Sequence, residues 1–398
     1  MKKTRAPFTI GPETHGLPSI VIQFFRTDNC YFVKWGIFVR IAAIICEYNP
    51  FHGGHRHQIE AVRAHLGTDT GVLCLMSGNY VQRGEPAILD KWTRAEAAVR
   101  GGADLVLELP LTAAVNAAGY FAAGGVDCLE KLGCVTDLCF GTEGTDTQTL
   151  RKNARIMETE EYEAALREKL STGVSFARAR ELALTALGGD GAVLTGPNNA
   201  LGVDYIRRLM QTGSQIVPAA IPRREGLPSA SELRREMTGH RIGNGERAML
   251  SVLRTLPEEA FSEMPFGSEG LWSKVMRACR NENSIEEILA ACKSKRYTMS
   301  RLKRMLLCLY LGLSREDLSR KSPYLRVLAF NDRGRQILRT AKETSALPLV
   351  SGNLPDTEAA GAYFAMECRA TDLYGLFAPP GTVEPAGQEK TRGPVYVR

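Results

Sequence analysis

The sequence predicts an α/β protein, a doubly wound parallel sheet followed by a mainly helical C-terminal region. Three observations carry that prediction. Short apolar runs at 41–46, 71–76, 105–109 and 138–140 alternate with helix-like segments at 57–66, 92–100 and 121–132. Such alternation is the pattern of βα units and a parallel sheet. Polar and glycine-rich stretches follow the ends of the apolar runs, where open sheets of this kind bind ligands. From Asn244 onward the texture turns to helical periodicity, interrupted at Pro257, Pro265 and Gly267.

With 398 residues the chain is long enough for two or three domains. A net charge of +6 is mild and by itself gives only weak support for nucleic-acid binding. The ten cysteines form no CxxC pair or zinc-like spacing, and several lie in apolar runs. This suits a reducing cytosol better than a disulfide framework. No apolar run approaches the ~18 residues that span a bilayer. Residues 1–38 mix basic, apolar and turn residues without a clean period, and a signal peptide fits them badly. They are expected to lie outside the fold, with Val39 as a natural start. Residues 39–240 then read as the α/β domain and 241–380 as the helical region. Residues 381–398, rich in Pro and Gly, read as a flexible tail.

After the first apolar run comes Glu47-Tyr48-Asn49-Pro50-Phe51-His52-Gly53-Gly54-His55. Two histidines flank a glycine pair at the mouth of a helix. Glycines let the backbone approach a ligand, and a helix N-terminus offers free N–H groups to a phosphate. Imidazoles add donors to a phosphate that gains charge during reaction. After the second run, residues 77–86 read SGNYVQRGEP, and Lys91-Trp92-Thr93-Arg94 follows. Arg83, Lys91 and Arg94 can hold a triphosphate or a carboxylate, or Lys91 and Arg94 can lie on a solvated helix face. The fourth run is followed by Gly141-Thr142-Glu143.

The stretches EYNPFHGGH, SGNYVQRGEP, KWTR and GADLVLELP resemble the HxGH nucleotidyltransferases. Within them, the set is similar to the bacterial tRNA(Met) cytidine acetate ligases, from about Ile41 nearly to the C-terminus. The resemblance implies an ATP-binding domain over 39–240. Its catalytic residues would be His52 and His55. ATP would be bound by Ile44, Ile45, Cys46, Glu47, Tyr48, Asn49, Pro50, Phe51, Gly53, Gly54, Arg56, His57 and Gly141. Further ATP contacts would come from Asn198, Arg223, Arg224, Ser229, Ser231 and Arg234. In PNNALG, at 197–202, one asparagine is expected to cap a helix; the resemblance gives the other to ATP, and Asn198 is favoured for it. Ser229 to Arg234 resembles the helix start that holds ATP phosphates in this superfamily; Ser229 with Glu232 also reads as a capping box.

The basic residues Lys293, Lys295, Arg296, Arg301, Lys303 and Arg304, with Tyr297 among them, suit phosphate contacts along an RNA, or are solvated helix faces. Met299 reads as core. The resemblance implies a ligase that activates acetate with ATP as acetyl-AMP and releases pyrophosphate. It would then acetylate the N4 amine of the wobble cytidine of elongator tRNA(Met). Magnesium is expected with ATP, its ligands undetermined. Attack by a weak acid nucleophile on the α-phosphorus needs mostly positioning and charge neutralisation, and the residues suit it. The alternative is a small-molecule adenylyltransferase, which leaves the basic helical half without a role. A non-catalytic RNA-binding module fits the intact motif set less well. Cytoplasmic location, no membrane contact and an undetermined oligomeric state complete the expectations.

Overall fold

The computed structural model describes residues 40–398 apart from 225, 353 and 383. Three short antiparallel strands, Arg26–Thr27, Cys30–Val33 and Ile37–Phe38, are also described and form a unit of their own. Apart from those strands, the expectation for residues 1–38 falls outside the described residues.

Five parallel strands form the centre of the main sheet: β1 (Ile41–Cys46), β2 (Gly71–Ser77), β3 (Leu105–Leu109), β4 (Asp137–Thr142) and β5 (Val217–Pro222). They lie in the order β5-β4-β1-β2-β3. Every residue of β2 and β3 is buried, so these strands read as continuous apolar runs rather than alternating ones. Helix α1 (Gly53–Leu66) and helix α2 (Lys91–Arg100) cover one face. There Ile59, Val62, Trp92, Ala95 and Ala98 pack with Ala42, Ile44, Val72, Cys74 and Met76. Helix α3 (Ala118–Leu132) leads from the β3 side back to β4.

The strand order reverses between β1 and β4. Their pairing is confined to Ala42↔Asp137 and Ala43↔Leu138, near the strand starts. The β1–β2 ladder, by contrast, runs from Ile41↔Gly71 to Cys46↔Met76. Beyond Ala43 the two middle strands therefore have no ladder between them, and a crevice opens at their carboxyl ends. This is the switch point at which sheets of this type bind ligands.

The α/β prediction holds: the four expected strands are present, β1 and β3 at the expected bounds and β2 and β4 slightly longer. The C-terminal region is mainly helical as expected, and it also adds strands to the sheet. Within the expected helical region, β6 (Leu325–Phe330) pairs antiparallel with β3, and β7 (Leu349–Val350) pairs parallel with β6. The expected flexible tail also needs correction. Strand β8 (Val395–Tyr396) pairs with β6, and Glu389 is buried. The sheet and the helical region also share a core. Tyr80, Leu111 and Val115 pack in one cluster with residues such as Met249, Phe261, Leu306 and Phe377.

Side-chain charge holds the tail in place. Lys91 is 1% exposed and donates to Glu108 at 2.7 and 2.9 Å and to Glu389. Arg326 reaches Glu367 at 3.0 Å and lies 3.5 Å from both Glu108 and Glu389. Tyr324 donates to Glu367 at 2.6 Å and Thr371 to Glu389 at 2.6 Å. Three buried carboxylates thus face two cations. Burial pushes the Glu108 carboxyl up to about 7; Lys91 opposes the rise, while Glu389 and Glu367 add to it. Lys91→Met leaves three carboxylates facing one guanidinium. It is expected to lower the unfolding free energy by about 3–5 kcal/mol in urea denaturation. Deleting residues 388–398 is expected to cause a loss of similar direction, because Glu389 and β8 go together; an unchanged midpoint in both variants would contradict this role for the cluster.

Candidate active site

The crevice between β1 and β4 has a volume of about 360 Å³. One wall is the segment after β1. Tyr48 adopts a left-handed backbone (φ 45°), and the Asn49–Pro50 peptide is cis. The Tyr48 ring is buried, edge-on to Phe51 at 5.0 Å and 4.6 Å from the His55 ring. A non-glycine residue in this backbone region is held there by its surroundings. Asn49 Oδ1 accepts from Ile88 N at 2.7 Å, which ties the segment to the chain before α2.

The two histidines build the start of α1. His52 is the N-cap residue; its Nδ1 accepts from Gly54 N at 3.0 Å. His55 Nδ1 accepts from His52 N at 3.3 Å, closing a reciprocal capping box. A Cβ on Gly54 would come within 2.9 Å of His52 Cε1, so a side chain there would push the histidine ring out of its capping position. With both Nδ1 atoms accepting, each neutral ring carries its proton on Nε2 and is a donor. Burial lowers the His52 pKa, with Arg223 and Arg234 adding to the effect. His55 is lowered to about 3 by burial, then by His52 and Arg223. The ring centroids are 3.8 Å apart, so two neutral donors stand side by side at a helix N-terminus.

Other elements complete the walls. The hairpin of Tyr80–Val81 with Glu85–Pro86 carries Gln82, whose N–H donates to Glu47 Oε1 at 2.7 Å, and exposed Arg83. Gly141 borders the crevice from the carboxyl end of β4, and Arg223 N donates to Thr142 O at 3.1 Å, which carries the chain after β5 across the opening. Arg234 donates to Asn49 O at 2.5 Å and to Ser231 Oγ at 3.0 Å. Ile44, Ile45, Cys46, Glu47, Tyr48, Asn49, His57, Gly141, Asn198, Arg223, Arg224, Ser229 and Ser231 all border the crevice with the two histidines. Pro50, Phe51, Gly53 and Arg56 do not: Pro50 is buried beneath the segment, Phe51 packs on Tyr48, and Gly53 and Arg56 face outward and are exposed.

The structure corrects the reading of two cations. Lys91 belongs to the buried charge cluster rather than to the crevice. Arg94 is fully buried, and its guanidinium donates to four main-chain carbonyls: Leu89 at 2.9 Å, Glu47 at 2.5 Å, Ser77 at 3.1 Å, and Gly78. It ties the ends of β1 and β2 together from behind.

The asparagine expectation changes too. Neither Asn caps α7 (Pro197–Gln211); Glu143 does, accepting from Asn198 N at 3.1 Å and Asn199 N at 2.9 Å. Asn199 is buried, accepting from Glu143 N and donating to Thr145, whereas Asn198 borders the crevice. The expected capping box between Ser229 and Glu232 is present. Sequence reasoning missed an apolar shelf of Phe121, Phe140, Leu201, Tyr205 and Ile221. The spacing of Asn198, Leu201 and Tyr205 along one helix face could have revealed part of it.

Among the expected RNA contacts, Arg301, Lys303 and Arg304 reach other parts of the fold, while Lys293 donates to the nearby carbonyls of Ser294 and Tyr297 at 2.8 and 2.7 Å. Arg301 donates to Phe266 O at 3.0 and 2.7 Å, Lys303 pairs with Glu85, and Arg304 donates to Gln82 O at 3.1 Å. The Lys303 and Arg304 contacts dock helix α12 (Met299–Leu311) on the crevice hairpin, and a Cβ on Gly84 would sit 2.5 Å from Arg304 N. Lys293, Lys295 and Arg296 are exposed; Arg296 pairs with Glu269. Met299 is also exposed, at 38%, and not core.

The described cysteines are free thiols, and no helix of the described residues is long and apolar enough to cross a membrane. The chain matches the HIGH Nucleotidyl Transferase family over residues 39–242 and 241–390. The parallel-sheet fold is that of this class of nucleotidyltransferase. The tRNA(Met) cytidine acetate ligase of Acetivibrio thermocellus is 32% identical over 412 residues, covering 89% of this chain and 99% of that protein. The protein of the same name from Syntrophomonas wolfei is 34% identical, again over 89% and 99%. The crystal structure of Thermotoga maritima TmcAL bound with alpha-thio ATP superposes with a TM-score of 0.83 and 30% identity, covering 90% of this chain and all of that one. The apo form of that protein gives 0.81 at 29% identity. The chain belongs to the tRNA(Met) cytidine acetate ligase family.

Two expectations follow. Arg94→Lys replaces a planar fork with a point donor that cannot span four carbonyls. The variant is expected to lose about 2–4 kcal/mol of stability, measured by denaturant unfolding. His55 has an ordinary value of 6.5 and a folded value of about 3. As pH falls through that window, the unfolded chain takes up a proton that the folded chain refuses, so stability falls. His55→Asn is expected to flatten the decline of Tm between pH 7 and 4.5.

Proposed function

We propose that the protein activates acetate with ATP, forming acetyl-AMP and pyrophosphate, and transfers the acetyl group to the N4 amine of the wobble cytidine of elongator tRNA(Met). The observation that carries this reading is the pair of neutral Nε2–H donors at the switch point, in a chain of this family. ATP is the activating nucleotide. Its base and ribose would lie along the apolar shelf with Asn198. The α-phosphate would face His52 and His55, whose donors act on the oxygens that gain charge as acetate attacks. Neutral histidines suit this role, because they donate without releasing a proton. Arg223, Arg224, Arg234 and the Ser229–Ser231 turn would hold the β- and γ-phosphates, and Arg83 the acetate carboxylate.

Magnesium would accompany the triphosphate and neutralise its charge. Among the described residues no three ligating side chains converge on one point. Phosphate oxygens and water suit most of its coordination. Lys293, Lys295 and Arg296 are the cations of the basic stretch suited to RNA phosphates.

Acetate-dependent exchange of pyrophosphate into ATP tests the first step, and nucleoside mass spectrometry of tRNA(Met) for acetylcytidine tests the second. His52→Ala and His55→Ala are each expected to lower exchange by about 10²–10³-fold. Exchange that requires a nucleotide in place of acetate would instead identify a small-molecule adenylyltransferase.

A further inference from the structure

We propose that Glu47 is the general base of acyl transfer, taking the proton that the cytidine amine sheds as it attacks the acetyl carbonyl. The assignment rests on the reaction proposed above. The N4–C bond forms as the bond from acyl carbon to adenylate oxygen breaks. AMP leaves with that electron pair, and one N4 proton passes to the Glu47 carboxylate. The lone pair of a cytosine amine is delocalised into the ring. It is a weak nucleophile, and its nitrogen becomes acidic only as the new bond forms. A proton acceptor within hydrogen-bond reach of the reacting nitrogen is therefore needed.

The crevice offers few acceptors. His52 and His55 have their Nδ1 atoms occupied by main-chain N–H groups, which leaves them donors on the open side. Burial pushes the Cys46 thiol and the Tyr48 and Tyr205 hydroxyls up, so all three stay protonated. Glu85 is paired with Lys303. Among the described residues that border the crevice, Glu47 and His57 remain, and Glu47 is held more closely. Gln82 N–H binds its Oε1 at 2.7 Å, and Arg94 binds its own carbonyl at 2.5 Å. One carboxylate oxygen is fixed, leaving Oε2 as the acceptor. Burial pushes the Glu47 carboxyl up, opposed by the Gln82 N–H, Arg83, Arg94 and Arg234. The group is thus a stronger base than an exposed carboxylate. Its negative charge also opposes a triphosphate in the same crevice, a cost to the first step that a role in the second explains.

The test separates the steps in the full-length protein. Acetate-dependent pyrophosphate exchange reads activation, and single-turnover transfer from synthetic acetyl-AMP to tRNA(Met) reads the second step. In Glu47→Gln, transfer is expected to fall by about 100-fold or more, and at least about 10-fold further than exchange. The acid limb of the transfer rate against pH should vanish in Glu47→Gln and persist in Glu47→Asp. Glu47→Asp also supplies the comparison if the glutamine variant does not fold. Equal losses in exchange and transfer would overturn the assignment and indicate an ATP or magnesium contact. An acid limb surviving in Glu47→Gln and lost in His57→Ala would move the role to His57. A wild-type protein without acetate-dependent exchange would overturn the proposed reaction, and the assignment with it.

Discussion

The buried guanidinium of Arg94 sits where the loops of the crevice must be held in register. Parallel strands leave carbonyls at their ends that no further ladder satisfies, and these ends are where a ligand must be gripped. One side chain on α2 accepts that burden for β1 and β2 together, bonding Glu47, Ser77, Gly78 and Leu89. The Glu47 carbonyl lies five residues before His52. The position of the first histidine therefore depends on a group that never reaches the open crevice. Arg234 meets the same segment from the opposite side through Asn49. The loop that leads to the two histidines is thus held between two arginines, one buried behind the strands and one at the crevice.

The second constraint is the buried charge cluster, which turns a helical appendage into part of the sheet. Lys91 comes from the start of α2, Glu108 from β3, Arg326 from β6, Glu367 from α14 (Glu358–Gly375), and Glu389 from near the C-terminus. Charges buried this deeply are tolerated only with partners, and each partner here lies far away in sequence. The arrangement fixes how the C-terminal half returns to the sheet edge. From the same half, α12 meets the hairpin that carries Gln82 and Arg83 through Lys303 and Arg304. The region that sequence assigns to RNA is in this way coupled to a wall of the crevice.

Much of the site is legible because its chemistry is local. The histidines and glycine between them are spaced by the helix start they build, and the Ser229–Glu232 box closes within one turn. Strands β1 to β3 are visible because burial on both faces makes them continuous apolar runs. Strand β5 escaped notice because Pro218 and Pro222 disguise its run. Strand β6 escaped because Arg326 makes it look like part of a basic helical stretch; only the three carboxylates around it explain a guanidinium in a central strand.

By itself the sequence determined the α/β class, the HxGH helix start, the family resemblance and the crevice-facing serines and arginines. These depend on periodicity and on contacts within a few residues. Tertiary structure alone decided which cations face the crevice. Lys91 and Arg94 read like Arg83 and Arg234 in sequence. Whether a long cationic side chain meets solvent, a carboxylate or a carbonyl depends on elements tens to hundreds of residues away, and no local pattern records them.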